Sequence, residues 1–293
     1  MTFFDYDFMV RALIGALVTG VTAPAIGTYL VQRRLSLIGD GLGHVALTGV
    51  GVGLLLHRSP VLAAIIVAAI GAVAIELVRE RGKTSGDVAL AILFYGGISG
   101  GVVLVNLSAG QTNRSLVSYL FGSPLTTSPS DLVVIVALGA CVLAVALLLR
   151  PWLFAVCQDE EYARVAGLPV RALNLTLAVT TAVTVTTAMR AVGLLLVSAL
   201  MVIPVATAQQ FAPGFTATMV IAMGLGFMAA GGGIWVSWRL DTAPGATVVL
   251  LAIALFVAVT LGGAIARTAQ RRLPTVTGPR GADLEPPEVV LDR

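Results

Sequence analysis

Asp40 and His44 are the residues of this sequence whose types and spacing offer the most chemistry. They stand four apart in a stretch, 35–56, that is otherwise apolar and rich in glycine. On a helix that spacing puts both side chains on one face, one turn apart. A carboxylate beside an imidazole suits divalent zinc, manganese or iron. An acid near a membrane core costs up to about 2.5–3.5 kcal/mol on insertion scales, so it takes a partner or faces a cavity. Gly39, Gly41 and Gly43 flank the pair and leave space for an ion, a water or another helix. Two readings fit. In one, the pair lines an ion path; in the other, Asp40 caps the segment near Arg33 and Arg34 with His44 as its hydrogen-bond partner. The other histidine, His57, falls at the far end of the same run and reads as a solvated loop residue. So few ligands cannot build a tight four-coordinate cage within one chain. A conducting path needs no such cage, because it must also release its ion.

The elements that position the pair follow from composition. Of 293 residues 57% are hydrophobic and only 11% charged, with a mean hydropathy of +0.96, against roughly 25% charged for a soluble domain. Such a chain cannot cover itself with polar surface, and lipid must be its solvent. The 32 glycines suit close helix–helix approach. Apolar runs are continuous, without the alternation of a transmembrane barrel strand, so the fold class is all-α, a polytopic membrane helix bundle. Runs long enough to span occur at about 8–32, 41–56, 60–79, 87–107, 131–150, 171–188, 193–211, 215–238 and 244–266, which is nine. The stretch 108–130 is too polar to span, although 116–125 fits a short interfacial or re-entrant helix, so counts of eight and ten spans stay open beside nine. With nine spans, eleven basic residues (among them Arg33, Arg34, Arg79, Arg150, Arg164 and Arg171) fall on one side and five on the other. That bias puts the first group in the cytoplasm, the N-terminus outside and the C-terminus inside. No signal peptide is read, since Asp5 and Asp7 precede any base. The membrane domain is 1–273, and 274–293, rich in proline and charge, reads as a disordered cytoplasmic tail.

The loop between the fifth and sixth runs has its own structure. Asp159, Glu160 and Glu161 place negative charge where a helix begins; Tyr162, Ala163, Arg164 and Ala166 follow; Gly167 caps the end and Pro169 stands just past it. This is a two-turn helix with both ends marked. It is either an ordinary connector or a docking element for a cytoplasmic protein. Elsewhere, the threonines Thr180, Thr181, Thr184, Thr186 and Thr187 are expected to bond back to their own helix, and Pro204 to kink the seventh run. Glu76 among Arg79, Glu80 and Arg81 reads as a snorkelling interfacial cluster, and Arg190 falls in a tight link between the sixth and seventh runs. The triplet Gly82-Lys83-Thr84 imitates the end of a phosphate-binding loop, but Leu77 stands where that loop needs glycine. Two cysteines form no metal or disulfide pattern.

Taken in order, several short motifs resemble the ABC-3 family of metal-ion permeases. They are Gly39-Asp40-Gly41-Leu42-Gly43-His44 with Leu47-Thr48-Gly49, Gly86-Asp87 with Ile92-Leu93-Phe94, and Tyr119-Leu120-Phe121-Gly122. They continue with Tyr162-Ala163-Arg164 and Gly167-Leu168-Pro169, then Arg190-Ala191-Val192-Gly193 leading to Ile203-Pro204-Val205-Ala206-Thr207-Ala208. The likeness covers about 8–266. It departs at Thr48, where the family often has proline, and at Gly43. The resemblance implies a bundle like a type II ABC importer permease, the membrane subunit of an importer of zinc, manganese or iron. No permanently bound cofactor is implied; the divalent metal ion is the transported substrate. Implied partners are a cytoplasmic ATP-binding subunit, an extracellular metal-binding protein, a second permease copy and membrane lipid, with no nucleic acid. The loop segment from Asp159 to Gly167 would couple to the ATPase, and Asp40 and His44 would face the metal path. The location implied is the bacterial cytoplasmic membrane. A permease for metal chelates, siderophore or cobalamin complexes, is the alternative. An intramembrane protease would need a second catalytic acid or a His-Glu-x-x-His cluster, which the sequence lacks; a passive channel is a third possibility.

Overall fold

The structure, a computed structural model, describes residues 6–80, 86–108 and 128–272. Eleven helices and no strands occur among the described residues: α1 (Asp7–Gln32), α2 (Ile38–Leu55), α3 (Pro60–Glu80), α4 (Gly86–Leu107), α5 (Pro129–Leu148), α6 (Arg150–Gln158), α7 (Glu160–Val165), α8 (Val170–Val192), α9 (Leu194–Ala208), α10 (Phe215–Leu240) and α11 (Pro244–Arg272). The segment 116–125, the motif Tyr119–Gly122, the triplet Gly82–Thr84 and the tail 274–293 lie outside the described residues.

Among the described residues an apolar helix stands at each of the nine expected places. Eight are long and apolar enough to cross a membrane. The ninth, α9, has 15 residues, about 22 Å at 1.5 Å per residue, short of a core about 30 Å thick. The difference arises at its start. Helix α8 runs on through Arg190, so no tight link surrounds that residue, and the whole connection to α9 is Gly193. With φ +89° and ψ 152°, Gly193 occupies backbone space that essentially only glycine enters. Helix α6, also unexpected, follows α5 after a single residue.

Side-chain neighbours fix the directions of the helices. Tyr29 near the end of α1 packs its ring on Phe215 at the start of α10, and Gly20 meets Gly226, so α1 and α10 are antiparallel. Gly97 lies against His44, Gly101 against Leu47, and Leu104 against Gly51, which makes α2 and α4 parallel. Helix α8 leaves the end of the bundle where Arg33, Glu80 and α7 gather. Helix α9 returns to that end, because only six residues join it to Phe215. Thus α8 and α9 form a hairpin whose turn is buried. The start of α1 and the end of α11 lie at opposite ends. Tyr29 ties the α7 end together: its hydroxyl donates to the Ala146 carbonyl at 2.6 Å, linking α1 to α5.

Helices α2 and α8 lie innermost, whereas α4, α5 and α11 leave most of their apolar surface uncovered, including Ile92, Val133, Leu250 and Ile265. Lipid is the solvent that fits such a rim. Packing inside rests on alanine and glycine, with Ala16, Ala23, Ala25, Ala46, Ala68 and Ala72 fully buried, which lets backbones approach closely. Thr180, Thr181, Thr184 and Thr186 donate to carbonyls four residues back at 2.6–2.7 Å, as expected of apolar-helix threonines, whereas the Thr187 hydroxyl departs from the expectation and is buried without a partner.

Candidate functional site

Helix α2 carries Asp40 in its first turn and His44 one turn later. The Asp40 Oδ1 to His44 Nε2 distance is 3.8 Å, too long for a hydrogen bond. Two metal bonds of 2.0–2.1 Å at a tetrahedral angle would hold their donors about 3.4 Å apart, so a small side-chain adjustment lets both ligate one ion. The His44 side chain is 10% exposed and that of Asp40 28%. The nitrogen that faces Asp40 is Nε2; the other, Nδ1, is buried without a hydrogen-bond partner, a costly condition. The ring sits edge-on to Phe94 of α4 at 4.4 Å between centroids, which restricts its rotation.

Asp40 does not cap α2. The N-cap position is Leu37, and no side chain bonds to the helix start there. Arg33 turns elsewhere, to Asn174 and Glu160. The partner Asp40 does have is Ser198 on α9, whose hydroxyl lies 3.2 Å from Oδ1 and 3.3 Å from the Leu194 carbonyl. Ser198 stands in an apolar run with nothing in its spacing to mark it, so only the α8–α9 hairpin brings it to the pair.

The glycines around the pair are filled by neighbouring helices, correcting the expectation that they leave open space. A methyl at Gly39 would meet Met201 Sδ at 2.9 Å, one at Gly41 would meet Leu90 at 2.8 Å, and one at Gly43 would overlap Leu194. They are notches that let α4 and α9 close around Asp40 and His44. His57 stands apart, exposed at the turn after α2 with φ +51°. Pro204 lies inside α9, where its ring cannot donate to the Leu200 carbonyl and weakens the helix. Among the described residues no three of His, Cys, Asp and Glu converge as metal ligands. Cys157 in α6 is no candidate, because burial pushes its thiol up to about 11, against the opposing pull of Arg33, and the neutral thiol is a poor ligand.

The second group of singled-out residues lies at the opposite end of α8's approach. Helix α7 has both ends closed as expected. The Asp159 carboxylate accepts from the Tyr162 N–H at 2.9 Å, and Gly167 takes φ +82°. Leu168 N–H donates to the Ala163 carbonyl at 3.0 Å and Gly167 N–H to the Arg164 carbonyl at 3.1 Å, which is the double bond of a Schellman ending after the cap Ala166. Ala163 is buried, while Tyr162 is 70% and Val165 88% exposed. Glu161 and Arg164 flank them, so α7 offers a small apolar patch bordered by charge.

The sequence profile described as the ABC 3 transport family matches residues 5–263. The chain belongs to that family. As a member it is a multi-pass membrane permease of ABC type. Relatives of this ABC 3 member include a "Probable metal transport system membrane protein" of Treponema pallidum, 32% identical over 87% of this chain and 95% of that protein. The manganese transport system membrane protein MntC of Halalkalibacterium halodurans is 32% identical over 87% of this chain and 88% of its own. The zinc uptake membrane protein ZnuB of Haemophilus influenzae is 32% identical over 85% and 97%. Among solved structures, PsaBC from Streptococcus pneumoniae, in complex with a Fab, superposes with a TM-score of 0.79 at 27% identity, covering 88% of this chain and 94% of that one. A metal-chelate type ABC transporter in an inward-facing conformation shares the fold, with a TM-score of 0.68 at 16% identity over 86% and 85%.

Proposed function

We propose that this chain is the membrane subunit of an ABC importer that carries divalent metal ions, zinc or manganese before iron, into a bacterial cell. The observation that carries the reading is the Asp40/His44 pair on α2, enclosed by α4 and α9, with the carboxylate oxygen and Nε2 3.8 Å apart. Two donors hold an ion weakly enough to pass it on. The relatives named for manganese and zinc support the same cargo. The α7 end faces the cytoplasm and docks an ATP-binding subunit through Tyr162 and Val165. The opposite end, with the N-terminus, faces outward and receives metal from a binding protein. A second copy completes the path with a second carboxylate and imidazole. The energy comes from the partner ATPase.

The test is radiometal uptake normalised to the amount of permease in the membrane. Asp40→Asn and His44→Ala are expected to lower uptake at least tenfold with no loss of inserted protein. Full uptake by Asp40→Asn would remove the pair from the path. Running the assay with chelated as well as free metal separates the alternative cargo suggested by the relative named for chelated iron, 31% identical over 94% of this chain. A chelate brings its own ligands and should pass regardless of these two side chains.

A further inference from the structure

Glu160 of α7 is joined to the membrane helices by a compact set of ion pairs. Its Oε2 lies 2.8 Å from Arg33 Nη2 and 3.9 Å from Arg79 Nη2. Its Oε1 accepts from Asn174 Nδ2 at 3.3 Å and lies 3.5 Å from Arg164. Arg33 also donates to Asn174 Oδ1 at 2.7 Å, and Arg79 pairs with Glu76 at 3.0 Å. One carboxylate thus meets the end of α1, the last turn of α3 and the second turn of α8. The group is no mobile surface fringe: the side chains of Arg33 and Glu76 are only 8% and 7% exposed. Glu76, expected to snorkel, is instead held inside between helices.

Arg33 has a further property. It caps α1, and the next residue, Arg34, takes φ +59°. Arg34 N–H donates to the Val31 carbonyl and Leu35 N–H to the Leu30 carbonyl, at 3.0 and 2.8 Å. This doubly bonded ending makes the α1–α2 turn stiff, and α2 begins at Ile38 with Asp40 in its first turn. A displacement of Glu160 therefore has a short, rigid route to the metal pair.

We propose that Glu160 is the positioning residue that transmits movement of α7 through Arg33 to the α1–α2 turn and so to Asp40 and His44. The proposal rests on the reading of α7 as the ATPase contact. Replacing the glutamate by glutamine keeps its size and its ability to accept from Asn174 but removes the charge that draws Arg33 and Arg79 together.

The experiment uses the complete transporter, permease with its ATPase and binding protein, in proteoliposomes, and reads metal moved per ATP hydrolysed. Glu160→Gln is expected to lower that ratio at least fivefold while assembly and basal hydrolysis persist. Arg33→Lys, which replaces the two nitrogens that reach Asn174 and Glu160 by a single ammonium, should do the same. Because the two act as one unit, the double variant should be no worse than either single change. An unchanged ratio, or losses that multiply, would overturn the proposal, as would loss of ATPase binding by Glu160→Gln. A readout independent of cargo is hydrogen exchange at 33–41: ATP should alter it in the wild type and leave it unaltered in Glu160→Gln. A wild-type complex that shows this response but moves no metal contradicts the cargo reading and leaves the transmission route standing. An ATP response preserved in Glu160→Gln contradicts the route alone.

Discussion

At the residue scale the site is sparse, and its sparseness defines what it can do. Asp40 and His44 supply two donors, and Ser198 adds a hydroxyl whose single proton is shared between Asp40 and the Leu194 carbonyl. A shared bond of this kind contributes about 1 kcal/mol. Ser198→Ala is therefore expected to raise the half-saturating metal concentration by no more than about fivefold, leaving the maximal uptake rate in place. Metal titration of uptake checks this split. Abolished uptake would mean that the hydroxyl is itself a ligand. His44 and Asp40 were readable as a pair from their spacing alone, but Ser198 was not, since it lies 158 residues away in an apolar run.

At the scale of elements, two glycines with positive φ have opposite consequences. Gly167 ends α7 at φ +82° with open space around it, so a side chain there meets no neighbour and only the backbone is strained. Gly193 is buried between α8 and α9 at φ +89° and ψ 152°, a conformation that costs other residues about 1–3 kcal/mol. Gly167→Val is expected to insert normally but to lose uptake and metal-stimulated ATP hydrolysis, because α7 is loosened. Gly193→Ala is expected to lower the amount of folded permease and its melting temperature, because the hairpin that brings Ser198 to Asp40 is no longer held. Thermal unfolding in detergent, set beside uptake per molecule, distinguishes the two. If Gly193→Ala melts like the wild type, the hairpin does not depend on that backbone.

For the whole molecule, the prediction concerns stoichiometry. Each chain presents, among the described residues, one short exposed helix at the α7 end and one two-donor site. Two copies would supply two motor contacts and four donors, enough to replace part of an ion's hydration. Mass measurement of the solubilised transporter should therefore give two permeases with two ATP-binding subunits. A complex with a single permease would contradict the shared path.

Much of this architecture follows from the sequence, because bilayer thickness turns an uninterrupted apolar run of about 20 residues into a helix. Caps written locally, such as Asp159 and Gly167 around α7, were legible for the same reason: their hydrogen bonds span only a few residues. The Asp40/His44 spacing was legible because helical periodicity is local too. Tertiary structure decided the rest. It showed that Gly39, Gly41 and Gly43 are filled by Met201, Leu90 and Leu194 in that order, that α9 is a short return leg, and that Glu76 is buried. It also joined Glu160 to Arg33 across 127 residues. In a chain where apolar surface points in every direction, composition says that a helix is in the membrane but not which neighbour it meets. That choice belongs to the fit of small residues against large ones and to the few buried charges that must find one another.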